Sequence, residues 1–76
     1  MTTGLIELRR ENTTVEYISN RNNVIIIIKD VPGFGTLHNV AINKKYFNQI
    51  HTHDFVQGRV KVLPEGLWVF EGFSFK

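Results

Sequence analysis

Apolar and polar positions alternate along most of this chain, and that period predicts strands rather than helices. Leu5 to Arg9 alternates weakly. Thr14 to Ser19 is clearer, with Val15 and Tyr17 on one face and Glu16 and Ile18 on the other. Arg10 to Thr13, between these runs, reads either as a turn or as a bulge inside one long, bent strand. Asn20 to Asn23 is a turn cluster, because Asn tolerates the left-handed backbone region. Val24 to Lys29 holds four consecutive isoleucines. Their β-branched side chains suit a strand, and apolar residues on both faces predict that it is buried from both sides.

Asp30 to Gly35 is a loop, set by Pro32, Gly33 and Gly35. Thr36 to Ile42 is the next strand. Here the period changes. Asn43 is a helix N-cap, Ile42 and Phe47 have the spacing of a hydrophobic staple, and Tyr46, Phe47 and Ile50 share a helical face. The predicted helix covers 43–50 and ends near His51. His51 to Asp54 leads into the densest stretch of the chain, Phe55 to Phe75. That stretch is two strand-like runs joined by Pro64-Glu65-Gly66, and it contains Trp68, the only tryptophan. In the first run Val56, Gly58, Val60 and Val62 oppose Gln57, Arg59 and Lys61. In the second, Leu67 and Val69 oppose Trp68 and Phe70. The two runs can be phased so that Trp68 and Phe70 face the solvent or the core, and pattern alone does not decide the register. The apolar phase shifts to Phe73 and Phe75 after Gly72, which predicts a bulge or bend there.

These elements make a mainly β, single-domain chain over residues 1–76: a small, five- to six-stranded antiparallel barrel with one short helix. The helix falls between the third and fourth strands when the first two runs count as one bent strand. In that order of elements the chain resembles the OB-fold. The passage VAINKKYFNQIHTHDFVQGRVKV is similar to the strand–helix–strand passage of cold-shock-like and initiation-factor-like OB domains. The resemblance is one of order; the aromatic-basic patterns of cold-shock proteins are absent from the first three strands. An SH3-like barrel is the competing arrangement.

Composition narrows the function classes. A 76-residue chain without cysteine must be held by apolar packing, since neither disulfides nor thiolate metal sites are available. A domain of this size buries only about 60% of the surface its unfolded chain exposes. Nine basic and seven acidic residues give a formal charge of +2, which permits nucleic-acid binding without demanding it. The N-terminus lacks a signal-peptide pattern and the longest apolar run, Val24 to Ile28, is too short to span a membrane, so the expected location is the cytoplasm. The richness in Ile, Asn, Lys and Phe matches AT-rich codons, common in phages and mobile elements, and the host cytoplasm is then the location.

The candidate chemistry is that of binding. With Val56, Val60 and Val62 inside, Arg59 and Lys61 face out. In the outward phase Trp68 and Phe70 stand beside them, and single strands bind such faces by base stacking and phosphate neutralisation. Lys44 and Lys45, at exposed helix-start amides, extend the basic track. Phe34, between two glycines, is a candidate loop anchor for a partner. His38, His51, His53 and Asp54 match no metal-site spacing, so no metal and no cofactor are expected. Ser19 and Ser74 have no neighbouring His and the carboxylates are scattered, so no catalytic set is expected. Two functions follow as expectations: a non-catalytic module for single-stranded nucleic acid, or a small phage-encoded protein that binds and modulates a host protein. Self-association through an exposed sheet edge is a third option.

Overall fold

The structure is a computed structural model and describes residues 1–52 and 55–73. Six strands form one curled sheet, a half-barrel: β1 Ile6–Leu8, β2 Thr13–Ile18, β3 Asn23–Val31, β4 Gly35–Asn43, β5 Val56–Val62 and β6 Trp68–Phe73. Helix α1, Lys44–Thr52, follows β4. The sheet order is β1-β5-β6-β4-β3-β2. Every pairing is antiparallel except β4 with β6, which is parallel through Val40 opposite Trp68 and Ala41 opposite Val69. The all-antiparallel barrel expected from the sequence is corrected at this seam. It joins two hairpin systems, β2-β3-β4 and β5-β6, that run the same way where they meet.

Arg10 to Asn12 forms a single 3-10 turn, which separates β1 from β2. The two strands are consecutive in the chain yet sit at opposite edges of the sheet. Four residues, Arg9 to Asn12, span from one edge to the other, so the sheet must curl until its edges approach at that corner. The corner is tied by side chains. Asn12 Oδ1 accepts from the Arg9 backbone N–H at 2.7 Å, and Thr13 Oγ1 donates to the Arg9 carbonyl at 3.0 Å.

Inside the curl lie Leu8, Val24, Ile26, Ile28, Val31, Leu37, Val40, Ile42, Ile50, Val56, Val60 and Phe70. The isoleucine strand behaves as its composition requires. Ile26 and Ile28 enter the core, while Ile25 is buried from the outer face and Ile27 is half-buried. Asn43 caps α1 by accepting from the Lys45 N–H at 2.9 Å, and the helix closes one end of the curl with Ile50. At its other terminus Arg10 donates to the His51 carbonyl at 2.5 Å, a cation placed where helix carbonyls lack partners. The N-terminal residues prolong β1 along β5, a pairing without a signal in the sequence pattern. Thr3 is buried, donates from its N–H to the Val60 carbonyl and accepts from the Val60 N–H through Oγ1, both at 2.9 Å. No helix among the described residues is long and apolar enough to cross a membrane.

Candidate functional site

The phase of the β5–β6 hairpin decides which side chains are offered to a ligand. Val60 faces Phe70 and Val62 faces Trp68, and directly opposed residues project from the same side of a sheet. Val60 is fully buried, so Phe70 is in the core with it, at 3% exposure. The outward placement of Phe70 is thereby corrected, because a ring without accessible faces stacks no base. Trp68 shares the inward side, at the rim. It is half-buried, meets Phe34 edge-on with ring centres 5.8 Å apart, and does not stand beside Arg59. Phe34 is likewise half-buried in that pair rather than projecting as a free anchor. Gly72 is not a bulge. The register runs unbroken from Gln57 opposite Phe73 to Val62 opposite Trp68, and the place where a Gly72 side chain would sit holds the Tyr46 ring.

Arg59 and Lys61 do project outward, as expected of residues that alternate with buried valines. Their neighbours are Gln57 on the same strand and Val69, Glu71 and Phe73 on β6. Lys61 Nζ lies 2.6 Å from Glu71 Oε1, an exposed pair of small energetic weight. Arg59, whose cross-strand partner is Glu71, has no ion pair among the described residues. Its guanidinium instead lies 5.8 Å from the centre of the Phe73 ring.

The face continues onto β1, where Glu7 opposes Gln57. Arg9 lies 5.0 Å from the centre of the Phe55 ring and 2.8 Å from Glu7 Oε2. The outer surface of β1, β5 and β6 therefore presents two arginine–phenylalanine cation–π contacts, with Phe55 36% and Phe73 41% exposed. Reading the sequence missed both contacts. Arg9 and Phe55 are far apart in the chain, and the apolar pattern after Gly72 places Phe73 in a shifted phase.

Lys44 and Lys45 are exposed on the first turn of α1. The amides there are not free: Lys44 N–H donates to the Asn22 carbonyl at 2.8 Å and Lys45 N–H to the Asn43 cap. Lys45 Nζ sits 5.6 Å from the centre of the Tyr46 ring. His53 and Asp54 lie outside the described residues. Among the described residues no three His, Asp or Glu side chains cluster in a way that holds a metal ion. No protein family, curated protein or solved structure matches the chain.

Proposed function

We propose that this chain is a non-catalytic binding module of OB type that holds single-stranded nucleic acid across the outer face of β1, β5 and β6. The observation that carries this reading is the pair of exposed cation–π contacts, Arg9 with Phe55 and Arg59 with Phe73. Bases stack on aromatic rings and on guanidinium planes alike, so each exposed arginine–phenylalanine pair offers one base a surface to stack on. Arg59 and Lys61 then neutralise phosphates, as does the positive end of each pair. Lys44 and Lys45 add positive charge at the start of α1.

The topology supports the OB part of the reading. Taking β1 and β2 as halves of one strand leaves five strands with α1 between the third and fourth. Around the sheet they run first, second, third, fifth, fourth and back to the first, a partly open five-stranded barrel.

Fluorescence anisotropy with a labelled single-stranded oligonucleotide at low salt tests the proposal. Two or three phosphate contacts give a log–log salt slope of about −1.4 to −2.1. Arg59→Glu weakens binding by roughly tenfold or more, and Phe73→Ala by about fivefold to a hundredfold, the range of one lost stack. Binding that is independent of salt and unchanged in both variants sinks the reading.

A second reading, a protein-interaction module, is favoured by β2. This edge strand leaves Val15, Tyr17 and Ile18 exposed. Capture of one partner that survives nuclease treatment favours it over the first.

A further inference from the structure

The outer face of β1, β5 and β6 carries two polar groups that neither base stacking nor phosphate neutralisation uses, Glu7 and Gln57. They lie in one cross-strand row with Phe73: Glu7 opposes Gln57 on one side, and Phe73 opposes it on the other. Directly opposed residues project from the same side of a sheet. The adjoining pair, Leu8 and Val56, is buried in the core, so the row points outward.

Phe55 precedes Gln57 by two residues and is exposed beside buried Val56, with the Arg9 guanidinium against its ring. Phe55 and Phe73 are thus diagonal neighbours across Gln57, and such positions are about 7–8 Å apart. Glu7 is the diagonal neighbour of Phe55 on the other flank. A base stacked on Phe55 therefore has its edge beside both polar side chains.

Both groups are open to a ligand. Gln57 is half-buried, yet its amide has no hydrogen-bond partner among the described residues, and no buried side-chain nitrogen or oxygen there is unsatisfied, so the amide reaches solvent. Glu7 is exposed and is oriented by Arg9, which donates to Oε2 at 2.8 Å. A carboxylate oxygen accepts more than one hydrogen bond, so this contact leaves Glu7 able to accept others. The other carboxylate of the face, Glu71, is paired with Lys61 at 2.6 Å, among the cations that meet phosphate.

A carboxylate repels phosphate, so Glu7 adds nothing to non-selective binding. Its value is toward a base edge. An ionised carboxylate only accepts, and it fits an edge that presents two adjacent donors. Guanine has this on its Watson–Crick edge, N1–H beside the N2 amino group, with O6 next to them as an acceptor for an amide N–H. Cytosine and adenine place one amino group beside a ring-nitrogen acceptor. Thymine and uracil place N3–H between two carbonyl oxygens, which the carboxylate repels.

We propose that Glu7 and Gln57 make this face selective for guanine. The base stacked on Phe55 gives its N1–H and N2 amino group to the Glu7 carboxylate and accepts from the Gln57 amide through O6. This inference rests on the nucleic-acid reading of the same face.

The test is fluorescence anisotropy at low salt with a labelled thymidine heptamer and the same heptamer with its central base replaced by guanine, hypoxanthine or cytosine. Hypoxanthine keeps N1–H and O6 and lacks the N2 amino group. The guanine heptamer should bind about tenfold more tightly than the all-thymine one, with hypoxanthine between them and cytosine below guanine. Glu7→Gln should weaken the guanine heptamer about tenfold while the all-thymine heptamer binds as well or better, because a charge that repels phosphate is gone. A merely structural role of Glu7 moves both heptamers in the same direction. Gln57→Leu, which keeps the side-chain size, should lower the guanine preference about threefold. Equal affinity for all four heptamers, with salt dependence intact, overturns the proposal and leaves the nucleic-acid reading standing. A guanine preference that survives both Glu7→Gln and Gln57→Leu also overturns it. If no heptamer binds, both readings fall together.

Discussion

Phe70 owes its place in the core to a side chain that the neighbouring strand lacks. Its ring lies over Gly58, and a Cβ built there would run into the ring and into the Glu71 carbonyl. Gly72, opposite Gly58, leaves the matching space for Tyr46: a Cβ there would come within 2.7 Å of that ring. The two rings meet edge-to-face with centres 6.5 Å apart, so the glycine pair houses an aromatic pair between the sheet and α1. Alanine at the two positions has different consequences. At Gly58 the obstacle includes backbone, which cannot turn aside, and Gly58→Ala costs about 3 kcal/mol or more. A 76-residue domain has on the order of 4–11 kcal/mol in all, so this is a large share. At Gly72 the obstacle is a side chain, and Gly72→Ala costs about 1–2 kcal/mol. Urea titrations check both values. A double-mutant cycle distinguishes the causes: Tyr46→Leu costs less in the Gly72→Ala background than in the parent, whereas Phe70→Leu restores little to Gly58→Ala.

At the scale of elements, the β5–β6 hairpin shows how a short loop dictates which side of a strand is buried. Leu63 N–H donates to the Leu67 carbonyl and Gly66 N–H to the Leu63 carbonyl, both at 2.8 Å, with Gly66 at φ 88°. Three residues therefore separate the facing pair Leu63 and Leu67, the loop length that places glycine in the left-handed region. Gly66→Ala should cost about 1 kcal/mol and Gly66→Asn less, seen as a fall in melting temperature of roughly 4–8 °C for the alanine variant. The same loop fixes the phase of β6, which the alternation in the sequence leaves open. Once Leu63 faces Leu67, Val60 must face Phe70, and of the two phases the alternation allows, the one with Phe70 in the core is the one that forms. The period-2 pattern of β5, the isoleucine strand and the Asn43 cap were readable because each is a local preference. The parallel seam was not, since nothing in β4 or β6 alone names the other. The irregularities in β2 and β4 were hidden for a related reason. Val24 to Ile28 is apolar on both faces, so its neighbours can slip by a residue at Glu16 and at His38–Asn39 without disturbing any alternation in the run itself.

For the molecule as a whole, the sheet ends in two unequal edges. β1 is three residues long, and the Glu7–Arg9 ion pair lies on it. Short strands and charges discourage pairing with another chain. β2 is six residues long, with Val15, Tyr17 and Ile18 exposed, the last at 65%. Its one charged residue, Glu16, is turned toward Asn39, so the charge that would guard this edge is engaged elsewhere. The bulge at Glu16 is the guard that remains. On this account β2 limits the solubility of the protein while adding little to its stability. Ile18→Lys places a charge on the open edge at a position without core packing to lose. The unfolding free energy should stay within about 0.5 kcal/mol of the parent. Light scattering during prolonged incubation at high concentration should fall. If scattering is unchanged while stability is preserved, β2 is not the surface through which copies associate; if stability drops by several kcal/mol, Ile18 belongs to the core and the half-barrel is more closed at this edge than its exposure implies.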